Sequence, residues 1–400
     1  MIPRRTVVCL SVAQLVSWGV SYHLIAVFGE SIAAELGWSR AVTYGGLTLA
    51  LVVTGLCSPL AGGAIDRLGG RPAMATGSLL NALGCIGVAM THHLPLYYAA
   101  WVSLGLGMRL TLYEAAFAAL ARIGGPDARR PMSQITLLGG LASTVFWPIG
   151  HALGERLGWR GALVVYASLA VLTVPLHLVI PSTRHGEAAG GSARAPDAPL
   201  ARTRRQRVVA GSLYALIATL AGFLNSGISP HLIALLTGFG VAGSLAVWIG
   251  SLRGVGQSSA RIWEILFGRR IHPLTLNLLG VVLLPVCFAA GLLSGQLVAA
   301  AIALSFLSGA GNGILAITRG TLPLVLFDPR TYGAVTGRLL VPSLVLSAAA
   351  PITYALVIDR AGAAGALYLS IGLGSLALVA AMALALMFRA RPGDPSVASG

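Results

Sequence analysis

GGAIDRLGGR, from Gly62 to Arg71, decides how the rest of the chain is read. It ends one long apolar run with an acid and two arginines, passes through the adjacent glycines Gly69 and Gly70, and opens a second apolar run at Pro72. Paired glycines give the backbone the positive dihedrals of a short reversal, while Asp66, Arg67 and Arg71 stay at a water boundary. The stretch reads as a tight, charged hairpin between two membrane helices.

Both flanks are made of the same material. Of 400 residues, 56% are hydrophobic and 10% charged, and mean hydropathy is +0.83, far from a soluble domain. A spanning helix needs about 20 mostly apolar residues. Twelve segments qualify: 6–29, 41–65, 72–91, 95–121, 132–155, 161–181, 208–237, 241–266, 273–294, 297–324, 335–358 and 364–388. The first follows Arg4 and Arg5 as a signal peptide would, but it is too long and lacks a small-residue cleavage site, so a retained helix is expected. The expected fold is an all-α membrane protein of twelve transmembrane helices in two pseudo-symmetric six-helix bundles. Its divisions are residues 1–181, a linker at 182–207, a second bundle at 208–388 and a tail at 389–400.

A net charge of +15 invites a nucleic-acid partner, and its distribution argues against one. With the N-terminus in the cytoplasm, nineteen arginines fall on cytoplasmic ends and loops, four (Arg40, Arg156, Arg160, Arg360) on the other side, and four within or at the edge of helices. That is the positive-inside pattern of a multi-pass protein of the bacterial inner membrane with both termini cytoplasmic. All 27 basic residues are arginine, which does not titrate in proteins, so proton handling falls to acids or histidines. Cys9, Cys57, Cys85 and Cys287 sit in apolar runs and read as packed thiols. Residues 182–207, rich in Gly, Ala, Pro and Arg, read as a flexible linker lying against anionic lipid head groups.

The two halves repeat. SYHLIA at Ser21 recurs as SPHLIA at Ser229, GLG at Gly105 as GAG at Gly309, and ERLGWRGAL at Glu155 as DRAGAAGAL at Asp359, at offsets of 208, 204 and 204. Parallel repeats of this kind place a substrate site at their interface near mid-membrane. The second copy of the charged hairpin is degenerate, keeping Arg261 and Glu264 three apart on one helical face before Gly268, Arg269 and Arg270.

The pattern GxxxDRxGxR over Gly62, Asp66, Arg67, Gly69 and Arg71 resembles the signature loop between the second and third helices of the major facilitator superfamily of transporters. The resemblance implies that Gly62, Asp66, Arg67, Gly70 and Arg71 latch one conformational state, with Asp66 pairing to a neighbouring helix end. It also implies that helices one, four, seven and ten line a central cavity. ELGWSRA at Glu35 is similar to the bacterial oxalate/formate and monocarboxylate branch. GAGNGILAITRGTLPLVLF from Gly309 and GQSSARIWEILFGRR from Gly256 are similar to bacterial transporters that include copper and riboflavin importers. The copper members use MxxxM and HxxxM pairs, whereas here His231 is followed four residues on by Leu235 and His23 by Val27. No metal site and no cofactor is expected, beyond a conceivable cysteine-based site for a softer metal.

Charges placed where lipid should be are the informative residues. A central arginine costs about 2.5–3.5 kcal/mol on insertion scales, so Arg109, Arg253 and Arg319 are expected to point inward. Arg109 and Arg319 would hold a carboxylate or other small organic anion, with Arg253 as a third candidate, since a guanidinium matches a carboxylate through two parallel hydrogen bonds. The competing reading has these arginines stapling helices together. Glu114 is the best-placed proton carrier, and with Arg319 it is expected to form a contact that closes one side of the pore; a staple with Tyr113 and Arg109 is the alternative. Gln14, Trp18, Ser21 and Tyr22 make a polar stripe on the first helix, matched by Asn225, Ser226 and Ser229 on the seventh, as cavity wall or as interhelical glue. His23 and His231, near helix ends, have no assigned role. Pro148 and Pro351 read as kinks.

These residues favour a secondary transporter of a small solute, with a proton as the candidate coupling ion, acting as a monomer in the bilayer. The first choice of solute is a small organic anion such as a monocarboxylate, ahead of drug-like or arsenical efflux and of riboflavin or metal uptake. There is no GxxxxGK[ST] for nucleotide hydrolysis, and no HExxH or GxSxG to make the chain an enzyme. A non-transporting membrane receptor of the same fold is the other class.

Overall fold

A computed structural model describes residues 2–184, 199–268 and 271–388. Among them the regular structure is helical, and the helices group into twelve rods. The helices are α1 (4–36), α2 (Arg40–Leu56 and Ser58–Leu68), α3 (Gly70–Ala89), α4 (Leu94–Thr111 and Tyr113–Gly124), α5 (Arg129–Gly139 and 142–157) and α6 (159–178) in the first bundle. The second bundle holds α7 (Arg204–Gly238), α8 (Gly243–Phe267), α9 (Pro273–Gly291), α10 (Val298–Leu326), α11 (Tyr332–Leu339 and 341–361) and α12 (363–387). Helices α5 and α6 run on with a single break at Gly158 (φ 67°), as do α11 and α12 at Gly362 (φ 68°). Each pair folds back on itself there. Tyr166 donates to the Phe146 carbonyl at 3.2 Å, and the Tyr354 and Ser370 hydroxyls meet at 2.7 Å, each bond closing the hairpin across its glycine. The 204-residue offset therefore recurs in the backbone.

Each bundle buries its own apolar core, Val20, Leu24, Phe28 and Trp101 in the first and Leu224, Leu235, Phe288 and Leu367 in the second. Within a bilayer that burial adds little, so close backbone approach and satisfied polar groups hold the helices together.

Several boundaries differ from the sequence reading. Helix α1 runs on to Leu36 and is capped by Gly37 at φ 66°, so His23 lies in mid-helix. Helix α7 begins at Arg204 on a Thr203 and Gln206 capping box. Residues 200 and 201, read as linker, donate backbone hydrogen bonds to Val325 and Leu326, and Ala201 is buried. Most of the expected linker, the tail at 389–400 and Arg269 and Arg270 lie outside the described residues. In the hairpin only Gly69 takes a positive φ, 94°; Gly70 is already helical, and its missing side chain lets α3 approach Ala119. Cys9, Cys57, Cys85 and Cys287 are free thiols, Cys85 and Cys287 buried.

Four helices of the first bundle are interrupted: α1 by a π-helical stretch at Trp18–Tyr22, α2 by a 53° bend at Cys57, α4 by the extended residue Leu112, and α5 at Gly140 and Leu141. An interruption frees backbone carbonyls that hydrocarbon cannot satisfy, so side chains must. Gln14 donates to the Thr111 carbonyl at 2.6 Å, and Cys85 lies 3.4 Å from the Val20 carbonyl as a weak donor. In α10, Pro323 cannot donate to Arg319, and the Tyr214 hydroxyl takes that carbonyl at 2.6 Å.

Candidate functional site

The two bundles are joined at the end that carries the 62–71 hairpin. Along α2 and α11, Gly62 meets Gly333, Ser58 meets Gly337, and Gly55 meets Leu344 and Val345, an antiparallel crossing of small residues spaced by four. A side chain on Gly62 would start 1.9 Å from the Gly333 carbonyl oxygen, so glycine is required for this approach. One turn beyond, the Asp66 carboxylate accepts from the Gly333 and Ala334 backbone N–H groups at 3.0 and 2.7 Å, at the start of α11 where unpaired donors and the helix dipole favour an anion. Arg122 Nε donates to the Asp66 carbonyl at 3.2 Å, and Arg71 Nε to the Ile180 carbonyl at 2.9 Å. Arg67 is exposed.

The degenerate second copy makes the mirror contact between α8 and α5. Arg261 Nη1 donates to the Thr136 carbonyl at 2.9 Å, Arg129 donates to the Gly268 and Ile271 carbonyls at 2.7 and 2.8 Å, and Glu264 lies 3.9 Å from Arg129. Both hairpins thus clamp the opposite bundle, one through an acid and one mainly through arginines.

Above this closed end lies a cleft between the bundles. On its C-terminal wall Arg253 of α8 donates through Nη1 to Ser229 Oγ at 2.8 Å and through Nη2 to Asn225 Oδ1 at 2.6 Å, while Nε has no partner. No carboxylate pairs with Arg253 among the described residues. A narrow pocket continues beneath it between Asn225, Leu284, Phe288, Ser308 and Asn312. The facing wall is aromatic. Tyr22 lies within electrostatic reach of Arg253, Trp18 and Tyr22 meet edge to face at 5.2 Å, and Tyr113 lies 5.1 Å from Trp18. His23 packs on both, 5.3 Å from Tyr22 and 6.3 Å from Trp18. At the floor, Arg319 Nη1 lies 3.6 Å from Glu114 Oε1 across the bundle interface, with Arg319 28% and Glu114 15% exposed. The Arg319 Nη2 also donates to Ser343 Oγ.

The sequence-based site residues fall into three separate contacts: Arg253 with Asn225 and Ser229, Trp18 with Tyr22, and Arg319 with Glu114. Gln14 stands apart from them: it is wholly buried in the first bundle, occupied by the α4 break, and Ser21 turns back to its own helix. A regular helical stripe predicted otherwise, and the π-helical stretch splits it. Arg109, expected beside the path, is 2% exposed and donates to Ser58 Oγ at 2.9 Å and to the Ser58 carbonyl at 3.0 Å, pinning the bend in α2 to the break in α4. Thr136 was missed by sequence reasoning because it works through a carbonyl that any residue could supply, and Ser58 because its hydroxyl meets Arg109 from 51 residues away. Gly333 and Gly337, spaced as GxxxG, carried a readable signal.

An all-α protein with two six-helix bundles, a charged hairpin clamp and a cleft between the halves is a polytopic membrane protein of the transporter type. The family model described as Major Facilitator Superfamily matches residues 10–339, and the chain belongs to that superfamily. Among its relatives, Monocarboxylate transporter 3 of Rattus norvegicus is 30% identical over 151 residues, covering 36% of this chain and 30% of that protein. Monocarboxylate transporter 11 of Homo sapiens is 27% identical over 268 residues, covering 63% and 52%. These matches span roughly a third to a half of the relatives' length. The crystal structure of the human organic anion transporter MFSD10 superposes with a TM-score of 0.69 at 19% identity, covering 94% of this chain and 99% of that one, a likeness of fold.

Proposed function

We propose that this chain is a secondary transporter that carries a small organic anion, such as a monocarboxylate, across the bacterial inner membrane by alternating access, coupled to a proton. The observation that carries the reading is Arg253: an inward guanidinium held in place by two neutral acceptors, Asn225 and Ser229, with no acid to neutralise it. An intramembrane charge left unneutralised by the protein is completed by an anionic ligand. The names of the monocarboxylate relatives agree with that class of solute. Glu114 and Arg319 form the gate at the floor, opened when Glu114 takes a proton or when the anion competes for Arg319. Asp66, with Gly62, Arg67, Gly70 and Arg71, forms the latch that holds the hairpin end shut. The arginine-rich hairpin end is cytoplasmic by the positive-inside rule.

Binding of acetate, lactate, pyruvate and oxalate to the purified protein, followed by exchange in proteoliposomes, tests this. Arg253→Gln is expected to weaken binding about ten- to a hundredfold, the scale of a charge-assisted hydrogen-bonded pair. Unchanged affinity in a folded Arg253→Gln protein would remove the anion site.

A further inference from the structure

The wall opposite Arg253 is more specific than a small aliphatic acid requires. Four rings follow one another down the first bundle: Tyr22 to Trp18 at 5.2 Å, Trp18 to Tyr113 at 5.1 Å, and Tyr113 to Phe117 at 5.7 Å with planes 9° apart. They reach from Arg253 at one end to the Glu114 and Arg319 pair at the other, where Phe117 packs on Gly320, the residue after Arg319. The π-helical stretch at Trp18–Tyr22 brings the first two rings to this face. The Trp18 indole N–H is buried with no acceptor, although an indole N–H removed from water ordinarily finds one. Trp18, Tyr22 and Tyr113 are each only partly buried. The C-terminal side supplies the charge and the amide and hydroxyl groups of Asn225 and Ser229, and the N-terminal side supplies π-faces.

We infer that the cleft selects a monocarboxylate bearing a flat aromatic or conjugated ring, with its carboxylate on Arg253 and its ring against Trp18 and Tyr22. This inference rests on the anion reading above and narrows it. Ring stacking discriminates by shape and polarisability, since a planar π-system meets both faces and edges favourably whereas a puckered ring of equal size does not. The ladder of rings gives the ring of the solute successive partners on the way from Arg253 to the floor.

The experiment compares benzoate with cyclohexanecarboxylate, equal in charge and nearly equal in size, and with lactate, by isothermal titration and by exchange in proteoliposomes. Benzoate is expected to bind about tenfold tighter than cyclohexanecarboxylate. Trp18→Leu should collapse that ratio toward one, and Trp18→Phe, which keeps a π-face, should restore most of it. If benzoate and cyclohexanecarboxylate bind alike, or lactate binds tighter than benzoate, the ring selectivity is wrong and the anion site stands. If none of the three binds to the folded protein, the anion reading itself fails.

Discussion

At the scale of residues, the arginines divide by what they touch. Arg109 donates to Ser58 through Nε and Nη2 and leaves Nη1 without a partner, Arg253 is held by Asn225 and Ser229, and Arg319 is shared between Ser343 and Glu114. Sequence alone ranked Arg109 above Arg253 because helix four borders the cavity by family resemblance. Rotation about the helix axis settled the order, and Arg109 lies in the last turn before a break that sequence does not announce. Glu114 was legible as the lone carboxylate within a helix, and its pairing with Arg319 was anticipated from matching depth in the repeat. Uptake driven by a pH gradient is expected to fall at least tenfold in Glu114→Gln, with exchange at equal pH much less affected. Gradient-driven accumulation at the wild-type level in that variant would show that the proton travels elsewhere.

The elements of this fold are defined as much by their interruptions as by their lengths. Hydrophobic length located the helices, while the extended residue Leu112, the π-helical Trp18–Tyr22 stretch and the bend at Cys57 were not foreseen. Neither Leu112 nor the Trp18–Tyr22 stretch contains a proline, so their composition gives no warning, whereas Pro59, two residues past Cys57, marks the bend there; the carbonyl freed at the α4 break is satisfied by a residue far away in sequence. Gln14 and the Thr111 carbonyl are 97 residues apart. Gln14→Leu leaves that carbonyl unpaired in an apolar setting, at about 1–3 kcal/mol. A lower melting temperature in detergent, by several degrees, is the expected result. An unchanged melt would mean that another donor reaches Thr111.

For the whole molecule, two antiparallel crossings join the bundles at the hairpin end. The α2–α11 crossing closes on glycines and Asp66, and the α5–α8 crossing on Arg261 and Arg129. Asp66→Asn keeps the shape and loses the charge, and so weakens two charge-assisted bonds; a shift of about 1.5–3 kcal/mol would move the populations ten- to a hundredfold. Spin labels at exposed positions 67 and 338, on opposite bundles, are expected to show a longer distance in that variant. An identical distance distribution would show that Asp66 does not hold this end closed.

Sequence by itself determined that the chain spans a membrane in twelve helices, that the six-helix unit is duplicated, and that hairpins at 62–71 and near 261–268 are charged. Length, hydropathy and repetition are local or periodic properties, and they survive in one dimension. Tertiary structure decided which charge faces the cleft, which polar residue is consumed in mending a broken helix, and that Asp66 meets α11 across the bundle interface. Those outcomes depend on helix rotation and on where backbone hydrogen bonds are given up. Both are fixed by contacts between residues far apart in the chain, such as Gln14 with the Thr111 carbonyl and Asp66 with Gly333.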